Sequence, residues 1–204
     1  MNLVLITSVL YPLNPGVFSP KERLEQLIRF TIPSIRKKIP DCYLVVVEGS
    51  EITKEEKTII SNNCDELFLF DIKNFDKNMG EINLIYSFLI SDSFDKLKNK
   101  MHNFIKISGR YHLSDEFEFE KYSGSIIKNE KSILSDYNVS HTTLYKVFKS
   151  DMNSFVEKIF NILKGGIFID IEHTFYKYNV VPCSLEIEKL GIAGLCSHGH
   201  YYQA

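Results

Sequence analysis

The segment Phe104-Ile-Lys-Ile-Ser-Gly-Arg110 carries an apolar, β-branched run straight into a hydroxyl, a glycine and a cation. A strand with this ending delivers a guanidinium to one point at its mouth. That chemistry suits an anion, because guanidinium binds phosphate or carboxylate through two parallel N–H bonds. Gly109 lets a ligand approach the backbone closely, and Lys106 adds a point charge if it faces the cleft. The first strand candidate, Leu3 to Val9, ends in the same manner at Thr7 and Ser8, and the second, Cys42 to Val47, runs directly into Glu48. Arg23 falls in the first turn of a helix, where a cation opposes the helix dipole unless an anion or a carboxylate such as Glu48 meets it.

A second group lies in Ile167-Phe-Ile-Asp-Ile-Glu-His-Thr-Phe-Tyr176. Glu172 emerges from an apolar run, an environment that raises a carboxyl pKa toward the range of a general base. Asp170 and His173 flank it, and only one of Asp170 and Glu172 is expected to face the cleft. Both acids are also suited to cap or open a helix. Asp71 ends a third strand, with Asp76 beyond it, and His198 and His200 sit two apart around a glycine in a tail rich in Gly, His and Tyr. These four are the candidate metal ligands, with a surface tail as the alternative for the histidines. Asp71 and Asp76 serve equally as ribose ligands.

The elements that would position these groups alternate. Ser19-Pro-Lys-Glu22 and Thr53-Lys-Glu-Glu56 both read as capping boxes, and Leu24, Leu27, Ile28 and Ile32 recur at helical spacing. Pro33 is expected to kink or restart that helix, and Pro40-Asp41 ends it. A third strand covers Leu67 to Phe70, a helix follows Gly80, and Phe104 to Ile107 forms the fourth strand. This alternation predicts an α/β fold with a mostly parallel sheet covered on both faces and its strand ends on one edge. Ligands bind such sheets at the switch point of strand order. Beyond Asp115 the pattern changes. Segments 124–128 and 142–148 read as strands of a mixed region, 151–163 as an amphipathic helix, and 167–176 as a short strand followed by a helix. The expectation is a single domain with a nucleotide-side half over about 1–115 and an acceptor-side half over about 116–204.

Composition narrows the function. The 204 residues are 44% hydrophobic and 25% charged with a net charge of −2, ordinary for a globular protein and without the basic footprint of a nucleic-acid binder. No transmembrane segment and no secretory signal are expected. The four cysteines, Cys42, Cys64, Cys183 and Cys196, are widely spaced, which points to a reducing cytoplasm rather than a disulfide framework. Peripheral contact with a membrane is compatible with this. Neither G-x-G-x-x-G nor G-x-x-x-x-G-K-[ST] follows the first strand, and G-x-S-x-G is absent. Dinucleotide oxidoreductases, P-loop enzymes and nucleophile-elbow hydrolases are therefore disfavoured.

Taken together, Ile6-Thr-Ser-Val9, the loop to Ser19 and Glu22-Arg23, Val47-Glu48, Lys106-Ile-Ser-Gly-Arg-Tyr111, Thr142-Thr-Leu-Tyr145 and Ile171-Glu-His-Thr-Phe-Tyr176 resemble the small glycosyltransferases of large DNA viruses and of bacterial surface-polysaccharide clusters. The likeness extends over nearly the whole chain. It implies a GT-A-like fold, a nucleotide-diphospho-sugar donor, a glycan or glycolipid acceptor, and a role in polysaccharide or glycoprotein glycan synthesis. It further implies that Thr7, Ser8, Arg23, Glu48, Lys106, Ser108, Gly109 and Arg110 contact the donor, and that Glu172, Asp170 or His173 takes the acceptor proton. Most GT-A enzymes grip Mn²⁺ or Mg²⁺ with an Asp-x-Asp after the fourth strand. Ser108-Gly109-Arg110 stands there instead, which leaves the cation to Asp71, Asp76, His198 and His200, or replaces it with Arg110. Two other readings fit the same residues: a non-catalytic nucleotide- or sugar-binding module, and a sugar-phosphate nucleotidyltransferase. The second fits poorly with Pro12, Pro15 and a single Gly16 after the first strand.

Overall fold

Residues 1–13, 16–71, 76–132, 135–182, 189–195 and 201–203 are described by the computed structural model. The central sheet takes its order from β1 (Asn2–Ser8), which is buried at every position. Two neighbours flank it in parallel: β2 (Cys42–Glu48), in register from Asn2↔Cys42 to Ser8↔Glu48, and β4 (Asn103–Ser108), from Asn2↔Asn103 to Thr7↔Ser108. β3 (Glu66–Leu69) extends the sheet beside β2. On the far side, β7 (Asn138–Phe148) pairs antiparallel with β4, and β6 (Ile126–Lys131) antiparallel with β7. The resulting order is β3-β2-β1-β4-β7-β6, with β7 alone running against the rest. Strand order reverses between β1 and β4, so their carboxyl ends form the switch point, where sheets of this kind bind ligands in a crevice.

Continuous apolar runs form β1, β2 and β4 because both faces of these strands are covered. Alternate residues enter different cores. Leu3, Leu5, Val45, Val47 and Phe104 pack against α4 (Lys77–Leu89), α5 (Asp92–Lys98), α6 (Met152–Gly165) and α7 (Ile171–Lys177). Val4, Ile6, Val46, Ile105 and Ile107 pack against the helical segment Pro20–Lys38 and α3 (Lys54–Ser61). Each fully buried aliphatic or aromatic side chain contributes roughly 1.5–3 kcal/mol. The chain is thus an α/β protein with a mostly parallel, Rossmann-like central sheet between helical layers.

Both capping boxes form. Ser19 and Glu22 close the start of α1 (Pro20–Gln26), and Thr53 and Glu56 close the start of α3. Pro33 restarts the helix by a specific device. Leu27–Thr31 form a wide π turn in which Ile32 N–H bonds Leu27 O, and α2 (Ile32–Lys38) follows with Pro33 in its first turn. The extra residue accommodates a ring that would otherwise clash with the preceding turn.

Several expectations need correction. The helix after the third strand begins at Lys77 rather than after Gly80. A separate α5, capped by Ser91, was not foreseen. Residues 167–169 form no strand. Phe168 instead gives its N–H to Thr174 Oγ1 (2.9 Å) and accepts from the same hydroxyl (3.1 Å), while Ile169 takes a positive φ of 62°. Part of the C-terminal segment is sheet: β5 (Tyr111–Leu113), β8 (Ile192–Leu195) and β9 (Tyr201–Gln203) form a small antiparallel sheet. Cys42 and Cys64 are half-buried free thiols, whereas Cys183 and Cys196 lie outside the described residues.

The small sheet abuts the strand that delivers Arg110. Tyr111 pairs with Gly194. A Cβ at Gly194 would overlap the Arg110 carbonyl oxygen and lie 2.8 Å from Tyr111 Cα, both of them backbone atoms that have no room to yield. Gly194→Ala should lower stability by about 1–3 kcal/mol, read as a drop in the urea midpoint. An unchanged midpoint would contradict this packing.

Candidate functional site

Glu48 organises the crevice. It ends β2, has no exposed surface, and turns Oε1 toward the loops that leave β1 and β2. That oxygen accepts from Leu10 N–H (3.0 Å), from Ser50 N–H (3.0 Å) and from the Ser50 hydroxyl. The Ser50 hydroxyl also accepts from Tyr11 N–H at 3.2 Å, so one carboxylate fixes both loops. Its second oxygen, Oε2, is buried without a hydrogen-bond partner among the described residues. Burial pushes the Glu48 carboxyl above the ordinary carboxylate value, against the Ser50 and Ser8 hydroxyls and the Leu10 and Ser50 N–H groups, which favour the charged form.

The strand ends themselves are held by backbone bonds. Gly109 N–H donates to Thr7 O (2.8 Å) and Gly49 N–H to Ser8 O (2.8 Å). Thr31 donates its hydroxyl to Gly109 O at 3.1 Å, anchoring the helical segment to the end of β4. A Cβ at Gly109 would sit 3.3 Å from Thr7 O, so glycine keeps the β1–β4 mouth tight. Thr7 and Ser8 are both buried at this edge.

Arg23 and Arg110 meet here. Arg23 is half-buried, and burial together with the Arg110 charge lowers its pKa while Glu48 opposes that effect. Arg23 therefore senses both the Arg110 charge and Glu48. The acids nearest to Arg110 in sequence are engaged elsewhere: Asp115 faces Lys38 (3.8 Å) and Glu116 faces Lys189 (3.1 Å). Among the described residues Arg110 has no ion-pair partner; its guanidinium lies 5.7 Å from the Tyr111 ring centre.

Lys106 is directed elsewhere. It has no exposed surface and bonds the Glu81 carboxylate, Ser108 Oγ (2.8 Å) and Thr142 O (2.7 Å). Thr142 links this buried group to Glu172, its hydroxyl reaching Glu172 Oε1 at 3.4 Å. Burial raises the Glu172 pKa, and the charges of Glu81 and Asp170 add to the effect, while the Glu172 N–H and Lys77 oppose it. Asp170 faces another way: it caps α7, accepting from His173 N–H (2.8 Å), and pairs with His173 Nδ1 at 2.6 Å. Thus Thr7, Ser8, Arg23, Glu48, Gly109 and Arg110 come together at one crevice. Lys106, Ser108 and Glu172 form a second, adjoining group.

The candidate metal ligands do not converge. Asp76 caps α4, accepting from Asn78 N–H (2.8 Å) and Met79 N–H (3.1 Å), and Asp71 lies exposed past the end of β3. His198 and His200 lie outside the described residues. Among the described residues no three His, Cys, Asp or Glu side chains gather as a metal site. No helix among them is long and apolar enough to cross a membrane. Sequence reasoning missed Glu81 and Ser50. Glu81 carried no signal beyond its place near a helix start, whereas Ser50 stood two residues after Glu48, within reach of its carboxylate.

The raised Glu48 pKa has a sign. The folded chain holds this proton more tightly than the unfolded chain, so the contribution to stability is full below the ordinary value of 4.5 and is lost as pH rises through the folded pKa. Glu48→Gln keeps the Oε1 acceptor and removes the titration. Its stability relative to the parent should therefore rise across that window and level off above it, measured as urea midpoints from about pH 4 to 8. A constant difference across that range would mean that Glu48 is not held protonated by burial. Against known proteins, no family model matches this chain and no curated protein shows significant similarity to it.

Proposed function

We propose that the protein is a glycosyltransferase that uses a nucleotide-sugar donor. The observation that carries this reading is the pair Arg23 and Arg110 beside a buried Glu48 at the carboxyl ends of β1, β2 and β4. A sugar nucleotide presents a diphosphate of about two negative charges, and two guanidinium groups match it in charge and in bidentate geometry. The ribose or base packs against Thr7 and Ser8, beside the loops that Glu48 pins. The division into a parallel half carrying the crevice and a smaller antiparallel part fits the two-part GT-A plan.

In a single displacement the acceptor oxygen bonds to the sugar carbon while its proton passes to Glu172. The bond to the diphosphate oxygen breaks and leaves its electrons on that oxygen. Arg110 and Arg23 stabilise the charge developing there. Glu172 is the suitable base because its burial and its acidic neighbours raise its proton affinity. Asp170 and His173 hold one another instead. The acceptor is a hydroxyl of a glycan or glycolipid, and the reaction belongs to surface-glycan synthesis.

Two measurements test the reading. Titration calorimetry with UDP-, GDP- and dTDP-sugars, with and without Mn²⁺, should give saturable binding to at least one donor, and Arg110→Ala should weaken it about 10–100-fold, the loss of a charge-assisted contact. Absence of binding across the panel would defeat the proposal. Glu172→Gln should reduce transfer by roughly 10²–10⁴-fold while leaving donor affinity near that of the parent. Undiminished transfer would remove Glu172 from the base role.

A further inference from the structure

Away from the strand-end crevice, three side chains form a hydrogen-bonded relay. Ser135 Oγ lies 2.7 Å from His173 Nε2, and His173 Nδ1 lies 2.6 Å from Asp170 Oδ1. An ionised carboxylate only accepts, so the ring proton sits on Nδ1 in the neutral imidazole. The Nε2 lone pair then accepts the Ser135 hydroxyl proton. This tautomer and this order are what activation of a serine nucleophile requires. The relay is also rigid: His173 is 5% exposed, and the Asp170 oxygen that orients its ring accepts the His173 backbone N–H as well (2.8 Å). Ser135, in the turn before β7, is only half-buried.

Two observations outside the relay point to a ligand. Ile169, the residue before Asp170, has a φ of 62°, a conformation that a β-branched residue rarely adopts. Its side chain is 57% exposed, so core packing does not hold it there, and strain of this kind gathers where a backbone is set for function. Large apolar side chains also stand exposed on the segments that carry the relay. Tyr137 (56% exposed) stands edge-on to Phe168 with centroids 5.6 Å apart, and Tyr176 (39% exposed) accepts from Asn138 Nδ2 at 2.8 Å. Tyr137 lies two residues from the serine with its ring set against Phe168, and Tyr176 is tied to the first residue of β7.

We infer that Ser135 is the nucleophile of a Ser135–His173–Asp170 relay that cleaves carboxylic esters bearing an apolar or aromatic group. Oγ bonds to the ester carbonyl carbon as its proton moves to Nε2. The C–O bond to the leaving alcohol then breaks, and Nε2 returns the proton to that alcohol. Water repeats the sequence on the acyl-serine, releasing a carboxylic acid and restoring the hydroxyl. Tyr137 N–H donates to Oγ at 3.3 Å in the free chain and would have to turn to the oxyanion as it forms. Asp170 acts as a positioning residue.

The test uses a fluorophosphonate probe with mass mapping of the adduct, and hydrolysis of p-nitrophenyl butyrate by the full chain. The parent should be labelled at Ser135, and Ser135→Ala should abolish both labelling and hydrolysis. Asp170→Asn keeps an equally good helix cap, so the melting temperature should hold while labelling slows by about 10³–10⁴-fold, the effect of stabilising the wrong histidine tautomer. An unlabelled parent, an adduct on another residue, hydrolysis surviving in Ser135→Ala, or undiminished labelling of Asp170→Asn would each overturn the inference. Donor binding at the crevice is independent of every one of these outcomes.

Discussion

A fully buried ammonium in the central sheet constrains the arrangement around it. Lys106 sits in β4 with no exposed surface. An uncompensated buried charge costs several kcal/mol, so its three donors must all be met. They are met from three directions: Ser108 within the same strand, Glu81 from α4, and the Thr142 carbonyl from β7. The antiparallel strand and the helix layer are thereby registered against the parallel half at one point. A hydrophobic side chain at this position would pack β4 equally well, but it would not specify where α4 and β7 lie along it.

The crevice follows a similar logic with the opposite sign. Glu48 is a buried carboxylate whose hydrogen bonds pin the loops after β1 and β2. Burial favours its neutral form, and the Ser50 and Ser8 hydroxyls with the Leu10 and Ser50 N–H groups favour the charged one. An anion drawn in by Arg23 and Arg110 would change the field at Glu48, so occupancy and protonation at this edge are linked. The tight Gly109–Thr7 contact keeps β1 and β4 paired up to the mouth, which leaves side chains rather than loose backbone to meet a ligand.

Much of the scaffold was legible because its signals are local. Capping boxes are written within four residues, and doubly covered strands impose continuous apolar runs. What escaped was set by distant partners. Lys106 reads as a donor-binding cation of the cleft until Glu81, 25 residues back, and Thr142, 36 residues on, are placed against it. Asp76 resembles a ligand in sequence and serves as a helix cap. The apolar run Ile167–Ile169 has the composition of a strand, yet the Thr174 hydroxyl satisfies Phe168 locally and leaves no ladder for a neighbour to join. The small sheet escaped because its strands are three or four residues long and one position requires glycine for close packing rather than for a turn. At the site, the grouping at the ends of the first, second and fourth strands followed from topology alone. The division between Glu172 and Asp170 did not, since residues two apart on a short helix differ only in what faces them.

The orientation of the buried ion pair explains why Glu172 resists ionisation despite a lysine close by. Lys106 and Glu81 cancel at long range and leave a dipole. Glu172 senses the Glu81 charge, which adds to burial in raising its pKa. The ammonium is instead turned toward the Thr142 carbonyl, and Thr142 offers its hydroxyl to Glu172 on the other side. One strand residue thus separates the cation from the carboxylate that would otherwise pair with it. Thr142 touches the buried ammonium through its carbonyl and the Glu172 carboxylate through its hydroxyl.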